Sequence, residues 1–260
     1  MKIRHIIGLV LTFFMLSING QAFATLKENN TVVESKELKA DSNSEVILDK
    51  VKLVKYSNGE LSIHGSAKRK FGEPAQYYRI TVDGKKGTYN TKLLPIPDKY
   101  KKFTTNNFQS NSLLTTSVTY TNSVTVIIDT EDIPQENLAE TMNFLYWNGN
   151  SDGTVSLINY NWDFWANPLT NVYTTWYVDT QNSYHTGPYY NSNRTYVYHD
   201  VTGQYYNWDW MDDNIATYTK HWSRIIGYSN SYGYNWNARH WGETSSILQV
   251  DVFVNGQQIN

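Results

Sequence analysis

Strict alternation of side-chain character is the feature that most limits what this chain can fold into. Leu248, Val250, Val252 and Val254 alternate with polar Gln249 and Asp251. Tyr78, Ile80 and Val82 alternate with Tyr77, Arg79 and Thr81, and Ile158, Tyr160, Trp162 and Phe164 with Asn159, Asn161 and Asp163. Side chains that change face at every residue belong to strands, since a helix would scatter them around its axis. The pairs Asn58-Gly59 and Asp83-Gly84 sit between such runs, where tight hairpin turns need residues that tolerate positive φ. Asn214–Ile226 fits a helical face through Ile215, Tyr218, Trp222 and Ile225, but Thr217 and Thr219 and the strand-like neighbours favour a strand.

The expected fold is therefore all-β: antiparallel and sandwich-like, in two packed halves joined by one short helix. Residues 45–130 form the first half and 146–260 the second. Residues 131–145 form the connector, where Pro134 suits a first turn and Leu138, Met142 and Leu145 recur at helical spacing. Residues 25–44 are polar and poor in aromatics, and read as a disordered spacer. Before them, Lys2 and Arg4 precede the apolar run from Ile6 to Ile18, and Ala22-Phe23-Ala24 carries the small-x-small pattern of a cleavage site. Residues 1–24 thus read as a signal peptide cleaved after Ala24, which makes the expected location secreted. The chain has 0 Cys, so thiol catalysis, zinc–thiolate binding and disulfide stapling are excluded. Export without cysteine is associated with Gram-positive bacteria.

All 9 Trp and most of the 21 Tyr fall at or beyond Tyr146. That is more ring than one sandwich interior hides, so some rings are expected to face water. Indole and phenol rings stack on the C–H faces of sugars, while amides and carboxylates take the hydroxyls. Two stretches hold both kinds of group side by side, Tyr205–Asp213 and Tyr232–Trp241. The expected ligand-binding residues are Trp208, Trp210, Trp236 and Trp241 for stacking, with Asp209, Asn235 and Asn237 for hydroxyls. The expected function is non-catalytic binding of carbohydrate or another cell-surface polymer.

Other chemistries are less well served. After residue 145 only Arg194, Lys220, Arg224 and Arg239 are basic, against nine Asp and Glu, a balance that disfavours nucleic acid. Asp209, Asp212 and Asp213 are candidate calcium ligands, although their spacing is not that of an EF-hand loop. No zinc-protease His spacing and no Gly-x-Ser-x-Gly elbow occurs. A polysaccharide hydrolase would need two facing carboxylates, and no pair is marked by spacing. The Ser/Thr-rich alternation of Leu113–Ile128 suits a membrane-crossing hairpin. A β-pore-forming toxin, the one alternative with membrane contact, would use it.

Overall fold

The computed structural model describes residues 31–68, 74–98, 118–131, 137–168, 175–207, 217–229, 233–242 and 248–258. Every regular element in them is a strand. In chain order these are β1 (Val32–Ala40), β2 (Lys50–Tyr56), β3 (Leu61–Lys68), β4 (Gln76–Asp83), β5 (Thr88–Leu93), β6 (Val118–Glu131) and β7 (Asn137–Asn150). They continue as β8 (Val155–Ala166), β9 (Tyr177–Val178), β10 (Tyr184–Tyr190), β11 (Tyr196–Asn207), β12 (Thr217–Tyr228), β13 (Gly233–Gly242) and β14 (Leu248–Gln258). They form one 14-stranded sheet in the order β10-β11-β12-β13-β3-β2-β1-β5-β4-β14-β6-β7-β8, with β9 paired to β11 off this path. Neighbours are antiparallel except β1 and β5, which meet in a short parallel pair.

The sheet curls until it is nearly a closed barrel. Its two flanks face each other: Val124, Val126, Leu145 and Trp147 from one pack against Val197, Ile225 and Trp236 from the other. Side chains also tie flank to flank. Asn143 Nδ2 donates to the backbone oxygens of His199 (3.0 Å) and Ser223 (3.2 Å), and Trp147 Nε1 to that of Tyr228 (3.1 Å). At the seam between the end strands β8 and β10, rings meet. Trp162 stacks on His185 with centroids 3.4 Å apart, and Tyr160 meets His199 edge-on at 5.1 Å.

Three expectations need correcting. No helix joins two halves: Asn137–Asn150 is the long strand β7, while residues 132–136 lie outside the described residues. Met142 and Phe144 of β7 pack into one apolar cluster and Leu145 and Trp147 into another. This strand is buried on both faces and mixes Thr141 and Asn143 with its apolar residues, so no polar face marks a period of two and helical spacing appears in it by accident. The sandwich of two sequential halves is replaced by one sheet whose path ignores the boundary near residue 131. β13 pairs with β3, and β14 lies between β4 and β6. Finally, the polar stretch expected to be disordered contains β1. Its Glu and Lys side chains face water and pair with β2, Glu34 with Lys55 (3.0 Å) and Glu37 with Lys50 (3.4 Å). Its polarity marks a solvated strand face held by the ladder.

The turns behave as their residues dictate. Gly59 has φ 85° between β2 and β3, with its amide bonded to the Tyr56 oxygen at 3.0 Å. Asp83 Oδ1 accepts the amides of Lys85 (3.0 Å) and Lys86 (2.9 Å) between β4 and β5.

A ring-lined outer face as the candidate functional site

The strands β10 to β13 and their neighbours β3 and β2 present one outer face to solvent. In β12 the burial alternates without a break. Thr219, His221, Ser223 and Ile225 are buried, while Tyr218, Lys220, Trp222, Arg224, Ile226 and Tyr228 are half-buried on the other side. β11 does the same at its start, with Val197, His199 and Val201 inside and Tyr196, Tyr198 and Asp200 outside. The usual polarity of an alternating strand is partly reversed here. Small polar groups go inward and large rings and guanidinium groups go outward.

The outward rings and cations form a continuous ladder. Arg239 lies over the ring of Tyr56 at 4.5 Å and over Trp222 at 5.4 Å. Arg224 lies over Trp222 at 5.4 Å and over Tyr198 at 4.8 Å. Tyr198 continues to Tyr189 (5.5 Å) and Tyr196 (6.3 Å), and Tyr196 to Tyr228 (5.9 Å). A second group sits lower on the same strands, with Tyr206 against Tyr177 (5.4 Å) and Tyr218 (6.5 Å). Each cation–π contact of this kind contributes about 0.5–1 kcal/mol at an exposed site, and together they fix ring planes that would otherwise rotate. Several rings stay open to water, including Tyr184 at 52 % and Tyr189 at 49 % exposed.

Carboxylates anchor both arginines. Arg224 reaches Asp200 through Nε and Nη2, each at 2.6 Å. That bidentate bond raises the Arg224 pKa and keeps the guanidinium charged. Arg239 Nε pairs with Glu60 at 2.6 Å. Burial pushes the Glu60 carboxyl upward, and Arg239 opposes the shift. Lys220 caps the ring of Trp241 at 4.8 Å, and burial pulls its ammonium pKa down.

The expected binding residues divide by strand parity. Asn235, Asn237 and Trp241 lie half-buried on this outer face, and Asn235 Nδ2 donates to the Tyr228 hydroxyl at 2.8 Å. Trp236 does not join them. It is fully buried, and its indole lies across Gly65 of β3, its register partner. It is a core ring and cannot stack on a ligand. Trp208, Asp209 and Trp210 lie outside the described residues, as do Asp212 and Asp213 of the calcium candidate. Among the described residues no group of three or more His, Asp or Glu is placed to hold a metal ion.

Inside the sheet, His221 and His240 form a buried polar belt with threonines. Thr130 Oγ1 lies 2.7 Å from His221 Nε2 and 3.0 Å from His240 Nε2, and Thr219 Oγ1 lies 2.8 Å from His240 Nε2. Thr141 Oγ1 lies 3.1 Å from His221 Nδ1 and 2.6 Å from the Tyr205 hydroxyl, which also donates to the Glu140 oxygen. Burial holds both imidazoles neutral, His221 well below its ordinary value and His240 at about 4. The hydroxyl–imidazole contacts resemble a nucleophile and base only superficially, because these side chains are sealed from solvent. They satisfy one another in the core.

A recess of about 650 Å³ lies elsewhere, lined by Leu53, Ile63, Val82 and the β4–β5 turn. No aromatic side chain lines it, and two of its lysines are engaged, Lys55 by Glu34 and Lys86 by Asp83. The ring-lined face has the more specific chemistry. Compared with known protein families, curated proteins and solved structures, the chain matches none of them.

The sequence missed Tyr198, Trp222, Arg224, Arg239 and Tyr56 as members of the site. The available signal was the parity of β12, where every second residue from Tyr218 to Tyr228 is large or charged while the interleaved ones are mostly small.

Proposed function

We propose that this chain is a secreted, non-catalytic binding protein that holds carbohydrate or another cell-surface polymer on the outer face of β10 to β13. One observation carries the reading: the rings of this face form an ordered row on the solvent side, separate from the core, with planes set by the arginines between them. Rings fixed before the ligand arrives lose little entropy on binding. Their flat faces suit the C–H surface of a sugar, and Asn235, Asn237 and Asp200 supply polar edges beside them.

The pore-forming alternative is weakened by the position of β6. This strand is central, paired along its length with β14 on one side and β7 on the other. Insertion into a membrane would break both ladders. The hydrolase alternative gains nothing from Asp200 and Glu60, since each is held by an arginine.

Polysaccharide pull-down and glycan arrays test the proposal. The wild-type chain should bind above an albumin control, and Tyr189→Ala and Tyr198→Ala should each weaken binding about tenfold with little change in thermal stability. No binding beyond the control, or unchanged binding by both variants, refutes it.

A further inference from the structure

Next to the rings, the outer face continues as a groove with a different character. It has a volume of about 280 Å³ and is lined by Lys50, Lys52, His64, Ser66, Ile226, Asn235 and Asn237. The register places these residues in two rows that run across the strands. One reads Tyr198, Ile226, Asn235, Ser66, Lys50, and the other Asp200, Arg224, Asn237, His64, Lys52. One row therefore begins at a ring and the other at the Asp200–Arg224 ion pair, and each passes through an amide and ends at a lysine. From β11 to β2 is four inter-strand steps, ~19 Å at the usual strand spacing of ~4.8 Å. That is the reach of several linked sugar units lying across the sheet.

We propose that this groove takes the anionic substituent of an acidic polysaccharide, a carboxylate or sulfate on a chain whose sugar faces rest on the adjacent rings. The inference rests on the binding function proposed above and specifies its ligand class. Lys50 pairs with Glu37 at 3.4 Å, but both side chains are more than half exposed, at 56 % and 65 %. So exposed a pair is weak and gives way to a better anion. Lys52 has no carboxylate at ion-pair distance among the described residues. Burial depresses His64 to about 4, and Lys52 and Arg239 push in the same direction. His64 is thus neutral at pH 7 and meets the Ser62 hydroxyl at 2.9 Å, while the lysines carry the charge. The groove amides and the Ser66 hydroxyl can bond to sugar hydroxyls between the two ends.

The test is calorimetric titration of the full chain with matched polymers: polygalacturonate against its methyl ester, and dextran sulfate against dextran. The acidic member should bind about tenfold more tightly in at least one pair, and the pair that responds names the anion. The Lys50→Gln/Lys52→Gln double variant, altered at one exposed and one half-buried side chain, should lose that preference and retain its affinity for the neutral member. Raising NaCl from about 0.05 to 0.5 M should shrink the preference as screening shortens. Equal binding of acidic and neutral members overturns this inference and leaves the binding function standing. Retained preference in the double variant also overturns it. Binding to phosphatidylserine vesicles in place of both acidic polymers points to a membrane surface and refutes it. No binding to any of the four polymers removes the inference together with the function it rests on.

Discussion

The contact between Trp236 and Gly65 yields a prediction whose sign depends on the background. Trp236 is fully buried, and a Cβ added to Gly65 would lie 2.3 Å from Trp236 Cε2, inside contact distance of a ring that the core holds in place. Trp236→Ala removes an aromatic side chain of about 150–250 Å². At about 25 cal/mol per Å² this is about 4–6 kcal/mol, in line with the ~3–5 kcal/mol found for such truncations. For a chain of this size the midpoint of thermal unfolding should fall by roughly 8–24 °C. Gly65→Ala in the wild-type background overpacks the same spot and should cost about 1–3 kcal/mol. With Trp236 already cut to Ala the obstacle is gone. There Gly65→Ala should be neutral, or stabilising by up to about 1 kcal/mol through the less flexible unfolded chain. Urea denaturation of the four proteins closes the cycle, with an expected coupling of about 1–3 kcal/mol. An equal cost for Gly65→Ala in both backgrounds would show that the indole does not cover Gly65.

Three further outcomes follow from the buried polar groups. His221 and His240 have folded-state pKa values below the unfolded ~6.5, so the unfolded chain binds more protons as pH falls. The stability these residues contribute is complete above about pH 6.5 and is lost toward pH 4. Asp129 and Glu60 are shifted upward and act in the opposite sense, so the His contribution is read as the difference in urea midpoint between wild type and a His221→Gln/His240→Gln variant, at pH 7.5 and at pH 4.5. The gap should narrow on acidification, and a constant gap counts against neutral imidazoles in the core. Arg239→Ala leaves the Glu60 carboxylate buried without its guanidinium partner and should cost about 3 kcal/mol, much of it restored by adding Glu60→Gln; chemical denaturation measures both. Tyr205→Phe removes the hydroxyl shared by Thr141 and Glu140 and should cost about 1–2 kcal/mol in the same assay.

How well the sequence foretold each element depended on whether burial was one-sided. β4 spans Gln76–Asp83 and β14 begins at Leu248, as alternation foretold. β7 was hidden because both its faces are covered, leaving no polar face to mark the period. β1 was hidden for the opposite reason, since a strand of Glu and Lys stabilised by its neighbours has the composition of a disordered tail. Within the site, Asn235 and Asn237 were placed on the outer face together, but Trp236 sits between them in a strand and had to point the other way. That parity was present in the expected set itself. The ladder of Tyr56, Arg239, Trp222, Arg224 and Tyr198 was not readable, because it joins β2 to β11 through pairings that only the folded sheet creates.

The last strand, β14, lies between β4 and β6 and supplies the ladder partner of each. Its Asp251 accepts from the Tyr77 hydroxyl at 2.6 Å and from Arg79 Nε at 2.8 Å, across 174 and 172 positions of chain. A polypeptide lacking β14 thus has two unsatisfied edges facing a gap, the kind of surface that recruits foreign strands. Assembly of this architecture waits on β14, and contacts so remote in sequence make that assembly slow. Truncation before Leu248 should yield an aggregating product, not a smaller folded one.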